Sequence, residues 1–270
     1  MSTAINPTDG TLLSYDSSGE GPAVVFLHGS ALSRAVWRGL GYVKALGGFR
    51  ALRLDLRGHG RSGKPHDPEA YAMPLVVEDV VAMLDAEGVE RAHLVGYSFG
   101  SRVAFALAAD KPERVASLVT LGGTYQSQRG QVEKVFFPGY LEALRSGGMT
   151  AFADGFAAAA NGLDPVTRAA FLANDPEALA AYFEATEAGE GIPEQVLMGM
   201  ALPALLMAGT LDLPRHEQSQ RAAALMPRAR FVELPGRTHA STLFPSGPVL
   251  EELVPFLREH QPAGSSEHTF

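Results

Sequence analysis

Gly96-Tyr97-Ser98-Phe99-Gly100 decides how the rest of this chain is read. Ahead of it lies Arg91-Ala92-His93-Leu94-Val95, a short apolar run of strand type. Behind it, Ser101-Arg102-Val103-Ala104-Phe105-Ala106-Leu107-Ala108-Ala109 is apolar at helical spacing and rich in helix formers. A G-x-S-x-G pattern between a strand and a helix puts the serine on a sharp turn, its hydroxyl clear of the sheet edge. Gly96 and Gly100 let strand and helix cross closely there, while the serine takes a strained backbone conformation. A helix beginning at Phe99 also points free N–H groups and its positive end at the place where an oxyanion would form. Glycine-rich chains produce the bare pattern as a plain turn as well. The flanking strand and helix are what make Ser98 a candidate nucleophile.

A nucleophilic serine needs a base, and the base needs an orienting carboxylate. The chain has eight histidines. His260 and His268 sit in the polar tail, and His66 lies in a Lys64-Pro65-His66-Asp67-Pro68 loop open to solvent. His93, in the strand before the serine, packs or faces solvent, and His216 follows Pro214-Arg215 at a helix start, a surface position. His28 and His59 belong to glycine-flanked loops. His239 remains, in Leu234-Pro235-Gly236-Arg237-Thr238-His239-Ala240-Ser241 after the strand-like run Ala229-Arg230-Phe231-Val232-Glu233-Leu234. It stands where a base arriving last in the order Ser…Asp…His would stand. Between the two, Pro203-Ala204-Leu205-Leu206-Met207-Ala208-Gly209-Thr210-Leu211-Asp212 is a buried-type strand, a glycine break and then an acid. Asp212 also suits a turn or helix N-cap ahead of Pro214. It is the candidate acid.

With these residues in view, the chain resembles the α/β-hydrolase-fold serine hydrolases of the compact, lid-bearing kind. Val24-Val25-Phe26-Leu27-His28-Gly29-Ser30 is similar to that family's strand and "HG" loop, and Ala51-Leu52-Arg53-Leu54-Asp55-Leu56-Arg57-Gly58-His59-Gly60-Arg61-Ser62 to its strand and "DxRGxGxS" loop. The resemblance implies an α/β fold with a mostly parallel eight-stranded sheet, helices on both faces and a helical cap insertion. It implies the backbone N–H groups of Ser30 and Phe99 as the oxyanion hole, with Gly96 and Gly100 as elbow glycines. His28 and His59 become loop residues, and Asp55 and Arg57 hold their loop by hydrogen bonds. Some relatives carry the acid one strand earlier, but here the corresponding run ends in Gly122-Gly123-Thr124, without a carboxylate.

Composition sets the remaining bounds. At 270 residues the chain suits one large α/β domain with an ample core. A hydrophobic fraction of 46% and a charged fraction of 19% are those of a globular enzyme. The net charge of −8, with no basic patch to offset it, argues against nucleic acid as a partner. No signal-like or membrane-spanning run opens the chain, so no membrane partner is expected, and the absence of cysteine fits a cytoplasmic setting. Without cysteine there is no thiol nucleophile and no thiolate metal site, and no other cluster has metal-ligand spacing.

Strand and helix patterns alternate up to about Gly123 and again from about Pro203, the mark of a parallel sheet covered on both faces. Residues 1–123 and 200–260 are therefore read as core, and 261–270 as a disordered tail. Residues 124–199 break the alternation with Ala-rich helical segments over 131–146, 149–160, 165–173 and 176–188. By the resemblance this is the cap. Phe136, Phe137, Phe152 and Phe156 are its candidate pocket residues, although most cap aromatics belong to its own core. Its cations are few (Arg129, Lys134, Arg145, Arg168), so the expected substrate is a small to medium, largely apolar carboxylic ester or lactone. The chemistry needs a small-molecule substrate and no cofactor. The same triad in this fold also serves C–C bond hydrolysis, cofactor-free peroxidation and cyanohydrin cleavage, and a vestigial triad occurs in ligand-binding proteins. An aspartate at the elbow would point to a dehalogenase or epoxide hydrolase. Serine at position 98 argues against both.

Overall fold

The computed structural model describes residues 1–261. All but Gln261 of the expected disordered tail lies outside the described residues. Eight strands form one sheet: β1 (Ser2–Ile5), β2 (Leu12–Ser18), β3 (Ala23–Leu27), β4 (Arg50–Leu54), β5 (Ala92–Tyr97), β6 (Val115–Leu121), β7 (Ala204–Gly209) and β8 (Ala229–Leu234). Their spatial order is β1-β2-β4-β3-β5-β6-β7-β8. β1 and β2 pair antiparallel around the 6–11 turn, β2 runs antiparallel to β4, and every later pairing is parallel.

The central strands are buried at every position, as parallel strands covered on both faces must be. Alternate residues feed two cores. Val25, Leu27 and Leu94 face one, and Val24, Phe26 and Val95 face the other. The first core is closed by α3 (Met73–Ala86), α4 (Phe99–Asp110) and α10 (Arg215–Leu225), the second by α1 (Ala35–Gly39), α2 (Tyr42–Ala45) and α11 (Gly247–Glu259). α3 buries Val76, Val77, Val80, Val81 and Leu84 at helical spacing. α1 and α2 are too short to show a period in the sequence.

Between β6 and β7 run α5 (Val132–Val135), α6 (Tyr140–Ala159), α7 (Pro165–Leu172), α8 (Pro176–Ala188) and α9 (Glu194–Gly199). The sequence pattern over 131–146 and 149–160 is resolved differently here. α5 is a single turn, and α6 continues through 147–148 with a break at Gly148, where φ is 62°. Two adjacent glycines allow that break. Asp164 and Asp175 cap α7 and α8, each accepting two backbone N–H bonds at 3.0 Å ahead of a proline at the first helical position. The interior of this insertion is aromatic, with Phe136, Phe152, Phe171 and Phe183 in mutual edge or tilted contact.

Candidate active site

Ser98 sits between the end of β5 and the start of α4 with φ 53° and ψ −116°, a conformation that a side-chain-bearing residue adopts only when its surroundings enforce it. The enforcement is visible. A Cβ on Gly96 would lie 2.4 Å from the Gly100 carbonyl oxygen, and one on Gly100 would lie 2.1 Å from the Leu27 oxygen, so both positions must be glycine. Ser98 N–H donates to Leu121 O at 3.0 Å, and Ser101 Oγ donates to Gly96 O at 2.7 Å, which locks the turn to β6 and to itself.

The Ser98 hydroxyl lies 2.8 Å from Nε2 of His239, in the loop after β8. His239 Nδ1 lies 2.9 Å from Oδ2 of Asp212, which follows β7. The carboxylate can only accept, so Nδ1 carries the proton and Nε2 is free to take one from the serine. Asp212 is buried and His239 half-buried, while the half-buried Ser98 lines a cavity. Three residues more than a hundred positions apart at the extremes thus form one unbroken chain of hydrogen bonds. Five of the other described histidines form hydrogen bonds elsewhere, His93 to Ser117 Oγ at 2.7 Å. His28 donates from Nδ1 to Gly29 O and accepts at Nε2 from Leu56 N–H, and His59 donates to Arg57 O and accepts from Ala31 N–H. Burial pulls His28 down to about 4 and His59 to about 3, so both stay neutral as loop struts. His66 and His216 bond surface carboxylates.

The Ser30 and Phe99 N–H groups find no protein acceptor among the described residues, and both residues line the cavity with Ser98. The Ser30 loop is held from the insertion, where Tyr182 OH and Ser30 Oγ are 2.6 Å apart and Asn174 Nδ2 donates to Ala31 O at 2.8 Å. Asp55 accepts from Arg34 and Arg61 N–H groups, and Arg57 is buried against Asp79 and Asp9. These bonds brace the loops under the cavity.

Phe136, Tyr182 and Phe183 of the insertion close over Ser98. Room for the centre of a water-sized sphere amounts to about 30 Å³, only a few times the roughly 10–15 Å³ that one water needs. Of the four phenylalanines read as pocket residues, only Phe136 lines this space. Phe137, Phe152 and Phe156 pack instead into the aromatic interior with Phe171 and one another, Phe152 with no exposure at all. Which side of a helical insertion meets the cavity depends on how its helices cross, and the sequence period does not carry that.

Two residues not singled out by the sequence support the Ser98–His239–Asp212 relay. Tyr97 stacks on His239 with ring centroids 5.4 Å apart and donates its hydroxyl to His239 O at 2.9 Å. Arg237 grips the same loop through Thr242 O and Pro245 O. Both stand inside stretches already singled out, at positions adjacent or near to Ser98 and His239. Among the described residues no group of histidines and carboxylates could hold a metal ion, and no helix is long and apolar enough to cross a membrane.

Residues 22–164 match the family described as alpha/beta hydrolase fold. "Epoxide hydrolase 2" of Siraitia grosvenorii is 37% identical over 114 residues, 42% of this chain and 36% of that protein. A pimeloyl acyl-carrier protein methyl ester esterase of Aeromonas hydrophila is 39% identical over 113 residues, 42% of each chain. The chain spans less than half the length of the curated relatives it matches. Among solved structures, the enol-lactonase from Burkholderia xenovorans LB400 is 28% identical with a TM-score of 0.79, over 93% of this chain and 98% of that one.

Proposed function

The chain belongs to the alpha/beta hydrolase fold family, and from that premise we propose that it is a serine hydrolase that cleaves a small carboxylic ester or lactone through an acyl-enzyme. The observation that carries this reading is the relay from Ser98 Oγ through His239 to Asp212, at 2.8 and 2.9 Å. In this reading His239 takes the Ser98 proton as Oγ attacks the carbonyl carbon, and Asp212 holds the tautomer and stabilises the imidazolium. The Ser30 and Phe99 N–H groups receive the oxyanion, each worth about 3 kcal/mol of barrier. His239 then protonates the leaving alkoxide, and water, activated by the same base, releases the acid. Residues 124–199 serve as the cap and residues 1–123 and 200–260 as the catalytic core.

The likeness to an enol-lactonase favours acyl chemistry over epoxide opening. A carboxylate nucleophile that opens an epoxide leaves an ester, which water can cleave. Serine would leave an ether, which this machinery cannot hydrolyse. The experiment is labelling with a fluorophosphonate probe. Stoichiometric modification at Ser98, lost in Ser98→Ala together with on the order of a millionfold in turnover, is the expected result. Labelling elsewhere, or a mutant with undiminished turnover, would overturn the assignment. Product analysis on a β-diketone and on a cyanohydrin separates ester hydrolysis from the other uses of the triad.

A further inference from the structure

Two arginines of the core line the same cavity as Ser98, and neither has a carboxylate within ion-pair distance among the described residues. Arg102 lies on α4 one turn beyond Ser98, and its N–H donates to Ser98 O at 3.4 Å. Long side chains on a helix lean back toward its N-terminus, which here means toward Ser98. Arg215 opens α10 three residues after Asp212 and reaches the cavity from the opposite side of the β6 end. They are only 9% and 5% exposed.

Their hydrogen bonds go to neutral acceptors. Arg102 donates from Nη1 to Gln126 O at 2.7 Å and from Nη2 to Glu190 O at 3.4 Å, while its buried Nε has no partner among the described residues. Arg215 donates to Gln218 Oε1 at 3.1 Å and to Gln128 Oε1. Gln126 and Gln128 belong to one short link after β6, so the two guanidinium groups are tied to the same three residues. The buried Arg34, Arg53 and Arg57 each face a carboxylate. Arg237 spends its donors on the His239 loop and does not line the cavity. Burial, and then the neighbouring Arg215 charge, lowers Arg102 to about 10, which still leaves it charged at neutral pH. The Asp212 carboxylate, three residues before Arg215, offsets part of the Arg215 charge but is bonded to His239. Two like charges held out of water beside each other are unfavourable unless a further anion joins them.

We propose that Arg102 and Arg215 receive a carboxylate carried by the substrate, so that the bond cleaved at Ser98 belongs to an ester or lactone with an acid tail. The proposal rests on the serine-hydrolase reading for the position of the scissile carbonyl. It corrects the expectation of a largely apolar substrate, which counted only the cations of the insertion. Of those, Arg145 pairs with Glu184 and Arg168 with Asp154, and none lines the cavity. The cations that matter come from α4 and α10. Guanidinium groups suit this task because their planar donor fork matches a carboxylate.

The test compares monomethyl glutarate with dimethyl glutarate, near-isosteres that differ by one charge at neutral pH. The native protein should favour the half-ester at least tenfold in kcat/KM, after allowance for the two ester groups of the diester. Arg102→Gln and Arg215→Gln should each bring that ratio toward one, chiefly through KM. Glutarate itself, titrated calorimetrically onto the native protein and onto Ser98→Ala, should bind in both and lose affinity at least tenfold in either arginine variant. Should a variant fail to fold, the native protein's preference and its glutarate binding decide alone. Equal or better use of the diester with no glutarate binding overturns the proposal. If Ser98 takes the fluorophosphonate and both esters are cleaved without preference, the anion site falls and the hydrolase reading stands. If Ser98 stays unlabelled while glutarate binds through the arginines, the anion site stands and the hydrolase reading falls.

Discussion

Gly122 and Asp212 stand so close that a Cβ added to the glycine would lie 2.9 Å from the Asp212 Oδ2, and 3.3 Å from His239 Nδ1. The end of β6, one possible seat for a catalytic acid, is thus bare because the acid from the next strand occupies the space beside it. Gly122 also has φ +57°, a left-handed conformation costly for any other residue, and its N–H is pinned to Met207 O at 2.8 Å.

Gly122→Ala should therefore act on the Asp212–His239 pair itself. We expect a folded protein with kcat lowered by on the order of a hundredfold, the cost of shifting a catalytic group by about 1 Å. Steady-state kinetics with circular dichroism as the fold control checks this. An alanine variant with full activity would mean that Asp212 has slack that the geometry does not indicate.

The two aspartates of the core should separate by kind of damage. Asp212→Asn should lose on the order of ten-thousandfold in kcat with the fold retained, because the amide no longer sets the His239 tautomer. Asp55 instead accepts from Arg34 N–H at 2.8 Å and Arg61 N–H at 3.0 Å and bonds the Arg34 guanidinium. Asp55→Asn should cost about 1–3 kcal/mol of stability with a much smaller change in kcat. Urea denaturation and kinetics on both variants give the comparison, and the reverse pattern would place the catalytic acid at Asp55.

Stability should fall with acid in a window set by buried histidines. Burial pulls His28 and His93 down to about 4 and His59 to about 3, whereas in the unfolded chain each returns to its ordinary value near 6.5. The unfolded state then binds more protons below pH 6.5. Stability is fully present above that pH and is lost as pH falls toward 4, at up to about 1.4 kcal/mol per pH unit for each histidine. Urea melts at pH 7 and pH 5 measure the slope. His93→Gln, in β5 beneath the site, should flatten it by about one proton, and an unchanged slope would show that His93 titrates normally in the folded protein.

The small space under the insertion sets a limit on the acyl group. Across p-nitrophenyl esters from acetate to palmitate, rates should fall as the chain lengthens, without a jump at micelle formation. Rates that climb steadily to the long chains would mark a lipase and an insertion that opens wide.

Ser98, Asp212 and His239 were each legible as candidates because each sits on a feature with a local signature. The elbow needs glycines at fixed offsets from Ser98, Asp212 follows a strand and a glycine break, and His239 follows the last strand. The pocket was not legible in the same way. Phe136 and Phe152 are alike in type and neighbourhood, yet one lines the cavity and the other is sealed in the insertion's interior. Phe136 caps the C-terminal end of α5, whereas Phe152 lies on α6 beyond its break at Gly148, and only the packing of those helices sets which of the two reaches the cavity.

The sequence by itself determined the strand-and-helix alternation, the strained turn at Ser98 and the order in which Ser98, Asp212 and His239 arrive. Backbone demands and apolar periodicity act over a few residues, so a linear string records them. Only the tertiary structure decided that Gly122 makes room for Asp212, that Tyr97 backs His239, and that Arg102 and Arg215 face one cavity with no ion-paired carboxylate among the described residues. An arginine in a sequence reads as a solvated charge. Whether water or protein surrounds it depends on elements more than a hundred residues apart, and packing alone brings those together.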